Sequence, residues 1–171
     1  MRLLPADLGI VEFANADSIA AGLSPFSPQT AELEAGRLML GRIRRLAANK
    51  RDFAFETTLA VRSFAPFLHR CRGEGYEVHL FYLWLRSPGL AVSRVADRVE
   101  EGGHDVPEEV IRRRYKSGLG NLFKMYLAFS DSWFFYDNSA KEPRRIAYQQ
   151  LAQTIVVVIS GTWKLVHEMA R

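Results

Sequence analysis

The apolar and polar positions of this chain follow two alternating periods. Short runs rich in β-branched and aromatic residues predict strands, and the segments between them carry apolar residues at helical spacing. The predicted strands are residues 11–14, 53–55, 78–84, 133–136 and 155–159. Such alternation is typical of an α/β protein with a mostly parallel sheet. The run 78–84 is almost continuously apolar, as expected of a strand that is covered on both faces.

The predicted helices are residues 30–48, 64–72, 90–101, 107 to about 127, and 163–170. Pro107 opens the fourth helix and is followed by two glutamates, an order that favours a helix start. Gly118 or Gly120 is a predicted break in that helix. No repeat, low-complexity tract or linker interrupts the pattern. We therefore predict a single domain over residues 1–171, with a less diagnostic tail at 139–171.

Composition is that of a soluble globular protein, with 48% apolar and 25% charged residues. The net charge is only +4 and the basic residues are dispersed, which disfavours general nucleic-acid binding. Cys71 is the single cysteine, which excludes an internal disulfide and a cysteine-based zinc site. The four histidines are scattered, so no metal site is predicted. Without a signal peptide or an apolar run that could span a bilayer, we expect a cytoplasmic protein with no membrane contact.

Polar side chains directly follow two of the predicted strands. Asn15 and Asp17 come after the first strand, and Glu56, Thr57 and Thr58 come after the second. In open α/β sheets, ligands bind beyond the carboxyl ends of the strands. A carboxylate there can accept the proton of a substrate hydroxyl that a neighbouring threonine orients. Helix capping by Asp17 or Thr57 is the open alternative.

Residues 94–115 have the pattern of a lid that closes over phosphates. Arg94 and Arg98 lie one helical turn apart, a spacing that lets both engage one anion. Gly102 and Gly103 form a joint that carries His104, and a second basic helix start follows. The open alternative is a solvated helix face, because three acidic side chains lie nearby at positions 97, 100 and 101.

A phosphate lid normally closes over a glycine-rich loop, and the sequence contains none. Gly36 and Gly41 have the right spacing, but no Lys-Ser/Thr follows them and they lie inside a predicted helix. Gly118 and Gly120 lack both a third glycine and a preceding strand.

Taken together, these motifs resemble the zeta toxin family. Its members are P-loop kinases with an adenylate-kinase-like core that phosphorylate sugar nucleotides such as UDP-N-acetylglucosamine. The resemblance extends from about residue 3 to about residue 138, with four motifs in family order and at family spacing. These motifs are residues 13–26, 54–59, 79–85 and 102–115.

The resemblance implies a role for each residue after the strands. Asp17 corresponds to the carboxylate that takes the proton from the acceptor hydroxyl. Glu56 corresponds to the acid that holds the substrate, with Asn15, Thr57 and Thr58 as further substrate-binding residues.

The resemblance also implies roles in the lid. Arg94 corresponds to a lid arginine that steadies the transferring phosphate. His104 stands where the best-known members have a second lid arginine. The candidates for that second charge are Arg98 and the run Arg112, Arg113 and Arg114.

The resemblance further implies ATP and Mg²⁺ as cofactors, a small hydroxyl acceptor such as UDP-N-acetylglucosamine, and an antitoxin protein as a candidate partner. Family members begin with a central strand and the phosphate loop, between the strands that here end at Phe55 and Trp84. We therefore expect an N-terminally truncated kinase domain that is inactive as given. The alternatives are a non-catalytic remnant that binds a nucleotide or a partner protein, and an arginine-rich RNA-contacting module.

Overall fold

The computed structural model describes residues 9–103, 105–151 and 153–171. The chain divides into two compact units. The first unit comprises Met1–Thr57 with Gly102–Asp105, and the second comprises Thr58–Glu101 with Val106–Arg171. Each unit has its own sheet. None of the helices in the described ranges combines the length and apolar composition that crossing a membrane requires.

The first unit is a two-stranded parallel sheet with two helices. Its elements are β1 (Glu12–Ala14), α1 (Ala16–Leu23), a 3₁₀ turn (Pro28–Ala31), α2 (Glu32–Ala48) and β2 (Phe53–Phe55). Helix α2 buries a stripe at every fourth residue, and both α1 and the 3₁₀ turn pack on α2. The stripe is Ala35, Met39, Ile43 and Ala47. The bounds of the helix predicted over residues 30–48 are close to those of α2, although the apolar Leu33 and Leu38 are exposed rather than buried.

The second unit contains a four-stranded sheet in the order β3-β4-β5-β6. Its strands are β3 (His79–Trp84), β4 (Ser132–Asp137), β5 (Arg144–Gln149) and β6 (Val156–Val157). Its helices are α3 (Phe64–Gly73), α4 (Pro88–Glu100), α5 (Glu108–Asn121), α6 (Leu127–Phe129) and α7 (Ser160–Met169), with a π-helical turn (Leu122–Tyr126) between α5 and α6. The largest side chains of its core are fully buried; among them are Trp84, Trp133, Tyr126, Phe135 and Leu122.

The predicted α/β class with parallel strands is confirmed. Strands β1 and β2 are parallel, and so are β3 and β4. The sheet of the second unit is nevertheless mixed, because β5 and β6 join it in antiparallel fashion. Strand β5 is missing from the sequence-based prediction, since it begins with two arginines and its buried Ile146 and Ala147 are adjacent rather than alternating.

Three element predictions are corrected by the structure. Helix α1 was not predicted, although Asn15 before it is a preferred helix cap. The strand predicted at 155–159 shrinks to the exposed pair Val156–Val157. The predicted break at Gly118 or Gly120 is wrong, because α5 continues through both glycines to Asn121.

Candidate functional site

The carboxyl ends of β1 and β2 lie side by side. The two strands are parallel, with Ala14 opposite Phe55, and the Glu56 N–H donates to the Ala14 carbonyl oxygen at 3.2 Å. The residues that follow the two strands therefore emerge at the same edge of the sheet. The sequence predicts this placement for Asn15 and Glu56, and their geometry bears it out.

The side chain of Asn15 joins these two strand ends. Its Nδ2 donates to Oε2 of Glu56 at 2.7 Å, and its Oδ1 accepts from the Ser18 N–H at 3.0 Å. A carboxylate can only accept and a backbone N–H can only donate, so the two contacts together define the orientation of the amide. Asn15 thus caps α1 and positions the Glu56 carboxylate at the same time.

Asp17 lies in the first turn of α1 and is exposed. A carboxylate at this place is stabilised by the positive end of the helix dipole. Asn15 supplies the side-chain cap of α1, so the alternative in which Asp17 caps the helix is wrong. The same alternative is wrong for Thr57, because the next helix, α3, has Ser63 at its N-cap position.

Thr58 begins the second unit, where the segment from Thr58 to Val61 is held by side chains at the end of α5 and in the π-helical turn. Asn121 donates through Nδ2 to the carbonyl oxygens of Leu59 at 2.8 Å and Ala60 at 3.2 Å. Tyr126 donates its hydroxyl to the Val61 carbonyl oxygen at 2.7 Å. Leu59 is buried and has a φ of 56°, a left-handed conformation that costs free energy in a branched residue. These hydrogen bonds hold it there.

Gly118 allows α5 to approach this segment closely. A Cβ built on Gly118 would overlap the Thr58 carbonyl oxygen and would lie 3.7 Å from the Tyr82 hydroxyl. Only a glycine fits this helix position, which is the physical reason that α5 carries a residue of low helix propensity here. Sequence reasoning missed Gly118, Asn121 and Tyr126 as positioning residues, because nothing local in the sequence shows what α5 packs against.

The predicted lid arginines lie on two helices that pack against each other, α4 and α5. Arg94 and Arg98 are four residues apart on α4, and Arg94 Nη2 lies 3.5 Å from the Ala140 carbonyl oxygen. Among the described residues Arg94 has no ion pair with an acidic side chain. Arg113 and Arg114 lie on α5, and His104 falls outside the described residues.

Arg112 is engaged by its own helix. Its Nε and Nη2 both lie 2.7 Å from Oε1 of Glu108, one turn earlier on α5. This ion pair engages the Arg112 guanidinium within α5. Tyr115, the last residue of the predicted lid, donates its hydroxyl to the Leu85 carbonyl oxygen at 2.6 Å and so ties α5 to the end of β3.

A second polar cluster, at the ends of β3 and β4, was missed by sequence reasoning. Asp137 is buried at the end of β4, where Arg86 Nε donates to its Oδ2 at 3.1 Å and the Ser139 N–H donates to its Oδ1 at 2.9 Å. Burial by itself raises the pKa of Asp137, but the hydrogen bonds from Ser139 and Arg86 outweigh burial and hold that pKa below its ordinary value. The rule that identifies Asn15 and Glu56 would have found it, because Asp137 directly follows a predicted strand.

The glycines considered for a phosphate loop are all helical. Gly36 and Gly41 lie inside α2, and Gly118 and Gly120 lie inside α5. Their backbone N–H groups belong to helices and do not form an anion-binding loop. Within the described ranges there is also no group of three or more His, Cys, Asp or Glu side chains that could hold a metal ion. Neither glycine pair therefore forms a phosphate-binding loop.

Comparison with known proteins gives the family. Residues 15–131 match the family model described as Zeta toxin. The chain belongs to the zeta toxin family. This zeta toxin family chain is also 29% identical over 101 residues to an uncharacterized protein of Haemophilus influenzae, an alignment that covers 59% of the chain and 72% of the relative. No solved structure matches it.

Membership in the zeta toxin family suggests a kinase-like activity. The matched range begins at Asn15, the residue that caps α1, and includes Asp17, Glu56 and the helices α4 and α5. It ends at residue 131, before Asp137.

Proposed function

We propose that this chain is an ATP-dependent phosphotransferase that acts in the cytoplasm on a hydroxyl of a nucleotide sugar or a similar small acceptor, which the residues after β1 and β2 bind. The observation that supports this proposal best is the 2.7 Å hydrogen bond from Asn15 to Glu56 at the shared carboxyl edge of β1 and β2. It places an oriented carboxylate where α/β proteins bind their ligands, with Asp17 two residues after Asn15 on the same helix start.

Asp17 is the general base of this proposal. As the acceptor oxygen forms its bond to the phosphorus atom, the hydroxyl proton passes to the Asp17 carboxylate, and the bond from phosphorus to the leaving oxygen of the donor breaks. The exposed position of Asp17 in the first turn of α1 gives a substrate hydroxyl access to it. Glu56 accepts hydrogen bonds from the other hydroxyl groups of the substrate that receives the phosphate. The Asn15 amide keeps the Glu56 carboxylate in place.

The lid arginines supply positive charge to the transferring group in this proposal. Arg94 is the first of them, because its guanidinium has no acidic partner among the described residues. Arg98, Arg113 and Arg114 are the candidates for the second charge, together with His104. By family, UDP-N-acetylglucosamine is the acceptor to test first, and an antitoxin protein is the partner to test first.

ATP with Mg²⁺ is the phosphate donor of the proposed reaction. Phosphoryl transfer depends on positioning and charge stabilisation of the phosphates, and the described residues provide no loop for that purpose. A protein consisting of these 171 residues alone is therefore expected to bind acceptor without transferring phosphate.

The test is titration of UDP-N-acetylglucosamine into the 171-residue protein by calorimetry. We expect saturable binding that Glu56→Gln weakens by about tenfold, the loss of one charge-assisted hydrogen bond. Asp52→Asn is the matched control, because Asp52 is an exposed acid just before β2, at the opposite end of that strand. Absence of binding, or equal weakening by both variants, would refute the acceptor site.

The donor side has its own test. Incubation with ATP, Mg²⁺ and the acceptor is expected to give no phosphorylated product. Product formation that Asp17→Asn abolishes would contradict the prediction of an inactive chain while supporting the role of Asp17.

A further inference from the structure

Strand β6 has an open edge. It pairs with β5 on one side, with Val157 opposite Ala147 and Val156 opposite Tyr148, and within the described chain it has no strand on the other side. The Val158 N–H donates to the Ile146 carbonyl oxygen at 2.8 Å, toward β5. Because successive residues of an antiparallel strand direct their backbone groups to opposite sides, the N–H and C=O of Val157 point away from β5.

The side chains along this edge are apolar and exposed. The exposed fractions are 48% for Ile155, 43% for Val156, 41% for Val157 and 54% for Val158. Soluble proteins protect such edges with charges, prolines or bulges, because an open apolar edge pairs with other strands. Residues 146–163 contain neither a charged residue nor a proline, although a quarter of the whole chain is charged. This segment therefore lacks the charges and prolines that protect many sheet edges.

We propose that β6 pairs with β6 of a second copy of this chain, antiparallel and across a twofold axis. The pairing would join two four-stranded sheets through their β6 edges and would continue the antiparallel order of β4, β5 and β6. Each β-branched side chain then packs against β-branched side chains of the other copy, a favourable cross-strand pair. This inference does not depend on the proposed phosphotransferase function.

A second copy fits this edge for two reasons. An antiparallel pairing across a twofold axis brings identical residues together, so a charged side chain in the edge would face the same charge on the other copy. Residues 146–163 contain no charged side chain, so this repulsion does not arise. Because the edge carries no charge, it offers no electrostatic complementarity to a charged partner. A twofold contact also uses the same surface on both copies, so the dimer closes and leaves no β6 edge open.

The oligomeric state is tested by sedimentation equilibrium over a range of protein concentrations. The wild-type protein is expected to reach twice the chain mass of 19.4 kDa. Val157→Lys is expected to weaken the dimer by about tenfold or more, since the pairing would bring two ammonium groups together. Val61→Lys is the matched control: Val61 is 52% exposed and lies before α3, and its substitution should leave the dimer intact.

Hydrogen exchange of the wild-type protein tests the same contact without relying on a variant that folds. Protection of the Val157 amide is expected to rise with protein concentration, whereas protection of the Ile43 amide inside α2 should not change. A monomer at all concentrations, an open-ended series of larger species, or a dimer in which Val157 exchange is independent of concentration would each overturn the proposal. A monomer that pairs β6 with a strand of another protein is one such outcome.

Discussion

The amide of Asn15 donates a 2.7 Å hydrogen bond to the carboxylate of Glu56, 41 positions further along the chain. The same amide caps α1 through its oxygen. One side chain therefore ties together the start of α1, the end of β1 and the end of β2. These two functions of Asn15 separate cleanly, because a cap needs an acceptor and the contact with Glu56 needs a donor.

Asn15→Asp is predicted to keep the helix cap and to lose the positioning of Glu56. Aspartate caps helices as well as asparagine does, but its carboxylate repels Glu56 instead of donating to it. Asn15→Ala loses both contacts and is expected to cost about 1 kcal/mol of folding free energy through the cap alone. Urea unfolding measures stability, and calorimetry measures acceptor binding. Acceptor affinity equal to wild type in Asn15→Asp would contradict a role for this hydrogen bond in the site.

Gly118→Ala is predicted to destabilise the protein by about 1–3 kcal/mol, because the new methyl group would overlap the Thr58 carbonyl oxygen. Gly120→Ala is the control two residues later on α5: its methyl group would lie at an ordinary 3.9 Å from the Ala170 carbonyl oxygen. There the gain in helix propensity, up to about 1 kcal/mol, should dominate. The melting temperature should thus fall in Gly118→Ala and rise in Gly120→Ala. A stabilised Gly118→Ala would show that α5 does not approach Thr58 this closely.

The sequence predicts best those features that depend on local pattern. The apolar run at residues 78–84 and the helix predicted over residues 30–48 lie within a residue or two of the observed β3 and α2. Burial was predicted less well, because Leu83 in β3 and Leu33 and Leu38 in α2 are exposed. Asn15 and Glu56 were found by the same kind of rule, since parallel strands deliver their next residues to one edge.

The features that depend on packing between distant segments were not predictable in this way. In the sequence, Gly118 resembles a helix breaker. In the structure, the Thr58 carbonyl oxygen lies so close to Gly118 that a side chain would overlap it. Asn121 resembles an ordinary polar residue near a helix end, yet it is buried and bonds two carbonyl groups about 60 positions earlier. Strand β5 is polar in pattern and is stabilised by its pairing with β4.

Asn121→Ala is predicted to destabilise the protein by about 2–3 kcal/mol, because the Leu59 and Ala60 carbonyl groups lose their donor and Leu59 loses a contact that holds its left-handed backbone. Asn121→Asp should also destabilise the protein, since a carboxylate cannot donate to either carbonyl oxygen, although it keeps an acceptor for the Arg62 Nε–H. Chemical denaturation measures both variants. Asn49→Ala, after the end of α2, is a control that changes the same residue type at an exposed place. A loss of similar size in the control would show that the effect is not specific to Asn121.

Asp137→Asn is predicted to lower stability by about 1–2 kcal/mol at neutral pH, because it weakens the charge-assisted hydrogen bonds from Arg86 and Ser139. The folded-state pKa of Asp137 lies below its ordinary value of 3.8. A carboxyl group with a lowered pKa contributes stability above its unfolded-state pKa, and that contribution is lost as the pH falls through the folded-state pKa. The difference in unfolding free energy between wild type and Asp137→Asn should therefore be constant from pH 7 down to about pH 5 and shrink below about pH 4. Asp52→Asn, which alters an exposed carboxylate, should show no such difference. If the difference in unfolding free energy between wild type and Asp137→Asn stayed unchanged below about pH 4, the Asp137 charge would not stabilise the ends of β3 and β4.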